Sequence, residues 1–199
     1  ITPAPLAFVQ VNASTPQSPQ STVATTYNQV QSPGNLNVVA VGWNESVGNV
    51  ASVSDSAGNV YQPAVATFRS TGLSQAIYYA RNIIGAGAGA NRVTVTFDKA
   101  VTYADVRVME YSGLDQSNPF DASSSFAGTS SQATSGSATT RFARELIIGA
   151  GMTSGVFTSA GAGFRSSARA NEQHVAKLRT TNNSDRWKER LISGDSQSC

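Results

Sequence analysis

Residues 92–111, RVTVTFDKAVTYADVRVMEY, constrain the fold more than any other stretch, because they contain two runs of alternating residues. In the first run Val93, Val95 and Phe97 share one face of an extended chain, and the threonines between them share the other. After a polar interruption the alternation resumes over 104–111, with β-branched residues recurring at every second position. The simplest arrangement of these two runs is a hairpin-like pair of neighbouring antiparallel strands.

The rest of the chain supplies further strand patterns that are separated by turn residues. Residues 36–43, LNVVAVGW, form a continuous apolar run, which predicts a central strand covered on both faces. Residues 50–55 and 60–68 flank the turn sequence SAGN, an arrangement typical of a β-hairpin, and Pro63 predicts an edge or a bulge in its second strand. Other strands are predicted at 6–11, 21–27, 74–81 and 145–152.

About eight to ten short strands at this spacing predict an all-β fold. The predicted architecture is an antiparallel β-sandwich, jelly-roll or immunoglobulin-like, followed by a short and partly helical C-terminal tail. Its inner strands are predicted at 36–43, 92–97, 104–111 and 145–152.

The composition changes abruptly after residue 164. Seven of the 14 Lys and Arg residues lie in 165–199, interleaved with four acidic residues. Ser184 is a suitable N-cap for a helix at 185–192, and a weaker helical pattern covers 172–179. The predicted organisation is a sandwich domain at 1–164 and a charged tail, which is either native or derived from a fusion junction or a shifted reading frame.

The overall composition favours a secreted bacterial protein. Charged residues make up only 13% of the chain, against about 25% in ordinary soluble domains. No apolar run is long enough to span a membrane, and the interleaved charges do not predict nucleic-acid binding. Cys199 is the only cysteine, so an internal disulfide is impossible. We expect a monomer, with a dimer linked through Cys199 as the alternative.

Several kinds of enzyme site are not predicted. Gly85, Gly87 and Ala90 match the spacing of a dinucleotide fingerprint, but a strand follows them where the fingerprint requires a helix. These glycines instead predict a flexible connection between strands. His174 is the only histidine, and the chain lacks the Gly-x-Ser-x-Gly motif of serine hydrolases. A transition-metal site of Cys and His ligands is not expected either.

Paired carboxylates are the remaining enzymatic option, because glycoside hydrolysis needs only two carboxyl groups. Glu110 and Glu145 are the candidates. The alternation places Glu110 on the same face as Val106 and Val108, where it would be partly buried. The structural alternative for Glu110 is a carboxylate that pairs with an arginine.

Carbohydrate binding requires a planar aromatic ring for the apolar face of a sugar and polar groups for its hydroxyls. Strand alternation sends Tyr78 and Tyr79 to opposite faces, so one of them is predicted to face outward near the glycine-rich loop 85–91. The full set of candidate platforms is Trp43, Tyr61, Tyr78, Tyr79 and Tyr111.

A long loop of mostly small polar residues follows the second alternating run. Phe120 and Phe126 predict that parts of this loop dock on the body of the domain. Asp115, Asn118 and Asp121 form an oxygen-rich group that predicts a calcium site, and turn formation by Asp and Asn is the alternative.

Five segments of the chain resemble a β-sandwich module that recurs in secreted bacterial multidomain proteins. They are DSAGNVYQPA, QAIYYARNI, RVTVTFDKAV, VRVMEYSGLD and TTRFARELIIGAG. The resemblance covers about residues 8–164 and implies a sandwich fold, but it implies no functional residue.

These observations give three hypotheses for function. The first is a non-catalytic extracellular module that binds polysaccharide or another cell-surface polymer. The alternatives are a small carboxylate-dependent glycoside hydrolase and a structural or adhesin-like spacer domain.

Overall fold

The computed structural model is all-β in the residues that it describes, which are 5–130, 132–142, 145–155, 165–166 and 174–180. It contains no helix in these ranges, and therefore none that could span a membrane. The chain divides into two compact units, Ile1–Phe120 and Asp121–Cys199. The strands are β1 (Ala7–Ser14), β2 (Gln20–Thr26), β3 (Leu36–Trp43), β4 (Val50–Asp55), β5 (Gln62–Ser70), β6 (Leu73–Ala80), β7 (Arg92–Val101), β8 (Asp105–Ser112), β9 (Leu146–Met152), β10 (Arg165–Ser166) and β11 (His174–Thr180).

The first unit is an antiparallel β-sandwich, as predicted. One sheet has the strand order β1-β8-β3-β6-β5, and the other has the order β2-β7-β4. Strand β3 lies in the middle of the larger sheet, and all eight of its residues are buried. The continuous apolar run therefore marks a central strand covered on both faces, as predicted.

The core lies between the two sheets. Val39, Val41 and Trp43 of β3 belong to the same buried cluster as alternate residues of β7 and β8. The ring of Trp43 meets that of Phe97 edge to face, with a centroid distance of 5.3 Å. Burial of alternate β-branched residues on each sheet is what a sandwich core requires.

The two alternating runs do not pair with each other, so the predicted hairpin is wrong. Strand β7 continues through Asp98 and Lys99 to Val101 and pairs with β2 and β4. Strand β8 pairs with β1 and β3 in the opposite sheet. The short connection 102–104 thus crosses from one sheet to the other. Alternation determines which side chains face the core, but it is equally compatible with pairing inside a sheet and packing across the sandwich.

The hairpin predicted across the SAGN turn is wrong for the same reason. Strand β4 lies in the smaller sheet, whereas β5 pairs with β6 at the edge of the larger sheet. In this turn the sequence predicts left-handed conformations at Gly and Asn; Gly58 adopts one, with φ of 83°, and Asn59 does not. Pro63 lies on this edge strand next to a shift in register, as predicted for a residue that cannot donate a hydrogen bond.

In the second unit, β9 lies at one end of a three-stranded sheet with the order β10-β11-β9. The prediction that 145–152 is an inner strand of the sandwich is therefore wrong, and all seven residues of β9 are half-buried. The weaker helix at 172–179 is also wrong, because pairing of β11 with β9 overrides local helical preference. The predicted helix at 185–192, the boundary after residue 164 and Cys199 lie outside the described residues.

Main-chain hydrogen bonds tie the glycine-rich connection before β7 to the connection before β3. The Gln31 N–H donates to the Ala86 carbonyl at 2.9 Å, and the Ala86 N–H donates back to Gln31 at 3.1 Å. Gly89 and Asn91 make similar bonds with Tyr27. The sequence predicts a flexible connection here, but the structure has an ordered ladder.

Replacing Gly85 with alanine is expected to destabilise the protein by about 1–3 kcal/mol, the usual cost of overpacking. A Cβ atom at this position would lie 2.7 Å from Cδ of Pro33 and 3.0 Å from the carbonyl oxygen of Gln31. Gly87→Ala is the matched control, because the nearest atom to its added Cβ is 4.0 Å away. Urea unfolding of both variants checks this, and equal midpoints would contradict it.

Candidate functional site

The adjacent tyrosines of β6 face opposite sides of the larger sheet, as predicted. Tyr78 packs against the core cluster, and burial raises the pKa of its hydroxyl. Tyr79 lies opposite Val38 of β3, on the face that points away from the smaller sheet. Of the two, Tyr79 is therefore the outward residue.

Tyr79 forms an aromatic pair with Phe120. The ring centroids are 5.9 Å apart and the ring planes differ by 13°, which is an offset stack. Phe120 remains 36% exposed. The Tyr79 hydroxyl donates to Oε1 of Gln62 at 3.1 Å. The result is an aromatic surface with a polar amide at its rim.

The loop that carries Phe120 is fixed at several points. The guanidinium of Arg81, two residues after Tyr79, donates to the carbonyl of Ser117. The Asp115 carboxylate accepts hydrogen bonds from the N–H groups of Ser117 and Asn118, at 2.7 and 2.8 Å. These bonds, that of Asn118 first, lower the pKa of Asp115. Phe120 is thus presented by an ordered turn.

The other three predicted platforms are enclosed by the fold. Trp43 and Tyr61 lie on the core side of the larger sheet, whereas Tyr111 lies on its opposite face, where its ring meets that of Phe8. Trp43 and Tyr111 are 0% and 1% exposed, so neither ring has a face on which a sugar could stack. Tyr61 is packed against the core cluster. Its hydroxyl donates to Asp55 Oδ2 at 2.9 Å and accepts from the Asn37 amide at 3.2 Å.

Glu110 shares the inner face of β8 with the buried valines, as the alternation predicts, and it is fully buried. Its carboxylate accepts hydrogen bonds from Gln10 Nε2 at 2.6 Å, from Asn35 Nδ2 at 2.6 Å and from the Ser32 N–H at 3.3 Å. The expected arginine partner is replaced by amides. Arg107, on the opposite face of the same strand, pairs instead with Asp105 at 2.7 Å.

A second group of polar side chains lies at the same end of the sandwich. Asn91 is fully buried and donates to Gln31 at 2.7 Å and to Asp55 at 3.0 Å. Gln31 in turn donates to Asn37 at 2.8 Å. Together with the bonds of Tyr61, these contacts join three connections to β3 and to the end of β4. Their role is to satisfy buried polar groups where the strands end.

Glu145 lies in the second unit, where it accepts a hydrogen bond from the Phe142 N–H at 3.1 Å. Burial, followed by the nearby Asp121 carboxylate, raises the pKa of Glu145. The Arg141 side chain and main chain donate to Asp121, and these bonds lower the pKa of Asp121.

The oxygen atoms of the predicted calcium site are engaged within their own units. Asp115 accepts bonds inside its turn, in which Asn118 takes part through its main chain, and Asp121 forms an ion pair with Arg141. In the described part of the chain, no three His, Cys, Asp or Glu side chains come together as metal ligands. Turn formation therefore accounts for Asp115 and Asn118 in this structure.

The sequence does not mark Phe120 or Tyr103 as a site residue, although both are exposed aromatic residues. Phe120 could be predicted to dock, but its partner Tyr79 is about 40 residues away and no local pattern joins them. Tyr103 is half exposed and has a left-handed main chain with φ of 48°. Nothing in the surrounding sequence indicates this main-chain conformation, which residues other than glycine rarely adopt.

The aromatic pair Tyr79–Phe120 is thus the candidate binding surface that the geometry supports best. Comparisons with protein families, with curated proteins and with solved structures find no match to this chain.

Proposed function

We propose that this chain is a non-catalytic module that binds polysaccharide, or another sugar-bearing surface polymer, through Tyr79 and Phe120. The stacked and partly exposed aromatic pair is the observation that carries the proposal. A pyranose ring has one or more apolar C–H faces, and an aromatic plane is the usual partner for such a face.

Polar groups suited to sugar hydroxyls border the aromatic pair. Gln62 uses Oε1 to accept from Tyr79, and its amide N–H groups are available to donate. Arg81 donates one N–H group to Ser117. Its other N–H groups have no partner in the described residues and are available to a ligand. A few fixed polar groups around an apolar surface give a binding site its orientation and specificity.

The order of the Phe120 loop also favours binding. A ligand that meets a preformed surface loses less free energy in ordering side chains and loops. The contacts of Arg81 and Asp115 hold this loop before any ligand arrives. A spacer domain would need no such aromatic surface.

Burial of Glu110 supports binding over glycoside hydrolysis. A catalytic carboxyl group must reach the glycosidic oxygen or the anomeric carbon. The Glu110 carboxylate is instead enclosed and bonded to three donors. We further propose that the module acts outside a bacterial cell, where such polymers lie and where a surface poor in charge is common.

Phe120→Ala is expected to weaken binding about 5- to 150-fold, the range for loss of 1–3 kcal/mol at a binding hot spot. The measurement is depletion of the protein by microcrystalline cellulose, chitin, insoluble xylan and peptidoglycan, with reducing-sugar release followed in parallel. The melting temperature should change little, because Phe120 lies partly exposed on a loop.

Phe126→Ala is the matched control, since Phe126 is 59% exposed and is not part of the aromatic pair. It should bind as the parent does. Equal binding by the parent and Phe120→Ala would refute the platform. Absence of binding to all four polymers would favour the spacer alternative, and sugar release would favour the hydrolase.

A further inference from the structure

The connection between β7 and β8 places a tyrosine in a conformation that is unfavourable for it. Tyr103 has φ of 48°, in the left-handed region where a Cβ atom crowds the main chain. Glycine adopts this conformation without that crowding, and asparagine adopts it more readily than tyrosine does. Tyrosine at this position is therefore expected to make the fold less stable than glycine or asparagine would.

The main chain around Tyr103 has little freedom to relax. Val101 and Ala104 on either side are 0% and 1% exposed. The Asn44 N–H donates to the Thr102 carbonyl at 2.9 Å, and the Thr102 hydroxyl donates to the Asn44 carbonyl at 2.7 Å. These contacts hold the main chain next to Tyr103 in the crossing between the two sheets.

In the described part of the chain, neither ring stacking nor a hydroxyl hydrogen bond offsets the unfavourable conformation. Tyr103 is 50% exposed. Val47, in the neighbouring connection 44–49, is 65% exposed. An aromatic ring and an aliphatic side chain are thus held out to solvent at this end of the sandwich.

We propose that Tyr103 is a second sugar-contacting residue, which offers its ring to a pyranose face and its hydroxyl to a sugar hydroxyl. Unfavourable backbone conformations persist where function requires the side chain. The choice of a sugar as the ligand rests on the function proposed above. The exposure of Tyr103 and its left-handed main chain are independent of that function.

The position of Tyr103 implies that the module has two contacts with its ligand. Tyr79 pairs near the start of β3, whereas Tyr103 lies just beyond the other end of that strand. At about 3.3 Å per residue, this separates them by roughly 20 Å along the strands. Two contacts at this spacing engage separate segments of a polymer, and the second adds avidity to the first.

The test compares the parent protein with Tyr103→Gly, Tyr103→Phe and Phe120→Ala on the same four insoluble polymers. Tyr103→Gly removes the ring and relieves the left-handed backbone. We expect it to melt at or above the temperature of the parent and to bind the recognised polymer at least about 5-fold more weakly. Tyr103→Phe keeps the ring and should bind within about 3-fold of the parent.

Two results would overturn the inference while leaving the proposed function intact. One is parent-like binding by Tyr103→Gly while Phe120→Ala binds weakly. The other is a lower melting temperature for Tyr103→Gly, which would show that the tyrosine stabilises the fold. If the parent binds none of the four polymers, the proposed function fails and the role of Tyr103 in sugar binding fails with it.

Discussion

Replacing Glu110 with alanine is expected to destabilise the protein by about 3–5 kcal/mol, because the truncation leaves several buried hydrogen-bond donors unpaired and opens a cavity. The carboxylate is fully buried and accepts three hydrogen bonds. Its removal leaves the amides of Gln10 and Asn35 without that acceptor, and each unsatisfied buried donor costs about 1–3 kcal/mol.

The measurement is the free energy of unfolding in urea, with Glu110→Gln as the conservative partner. The glutamine fills the same volume and keeps one carbonyl oxygen, but its amide nitrogen faces the Gln10 donor. We therefore expect an intermediate loss of about 1–3 kcal/mol. A Glu110→Ala variant as stable as the parent would show that this network is dispensable. Hydrolytic activity lost at full stability would return Glu110 to the catalytic role.

Trp43→Ala is expected to cost about 3–5 kcal/mol, the range for truncation of a large buried aromatic residue. The indole is 0% exposed and lies against Phe97, between the two sheets. No described residue accepts a hydrogen bond from its Nε1. The loss is therefore one of packing, since no internal hydrogen bond to described residues breaks.

Trp43→Phe removes the indole nitrogen but keeps an aromatic ring at the same site. It should therefore recover most of the stability that Trp43→Ala loses. Both variants are compared with the parent by urea unfolding and by polymer depletion at a temperature where all three remain folded. Weaker binding by folded Trp43→Ala, without a change in stability, would mean that Trp43 contacts the ligand after all.

The sequence predicts the strands of the sandwich better than their partners. The alternation in 92–97 and 104–111 correctly assigns the core-facing residues, because side-chain direction is a local property of an extended chain. Partner choice depends on where the chain crosses between sheets, and Tyr103 makes that crossing through a conformation with no sequence signature. The same limit applies to β9, whose apolar residues do not reveal that it joins a separate sheet.

The candidate site was predictable in part. The opposite orientation of Tyr78 and Tyr79 follows from the geometry of a strand, and the structure confirms it. The contact between Tyr79 and Phe120 does not follow, because it depends on the path of a long loop. The burial of Glu110 could be predicted from its face of β8, whereas its amide partners come from residues about 75 and 100 positions away.

The order of strands in the first unit also determines how the chain can assemble. Of its consecutive strands only β5 and β6 pair, and every other pairing joins distant segments. Because such contacts require closure of long loops, we expect folding in milliseconds to seconds. Ala7 lies opposite Ser112, so β1 has no partner in its sheet until the ribosome has released β8. The edge of the apolar strand β3 that pairs with β8 also stays unpaired until β8 has left the ribosome. A chaperone would protect that edge most during this interval.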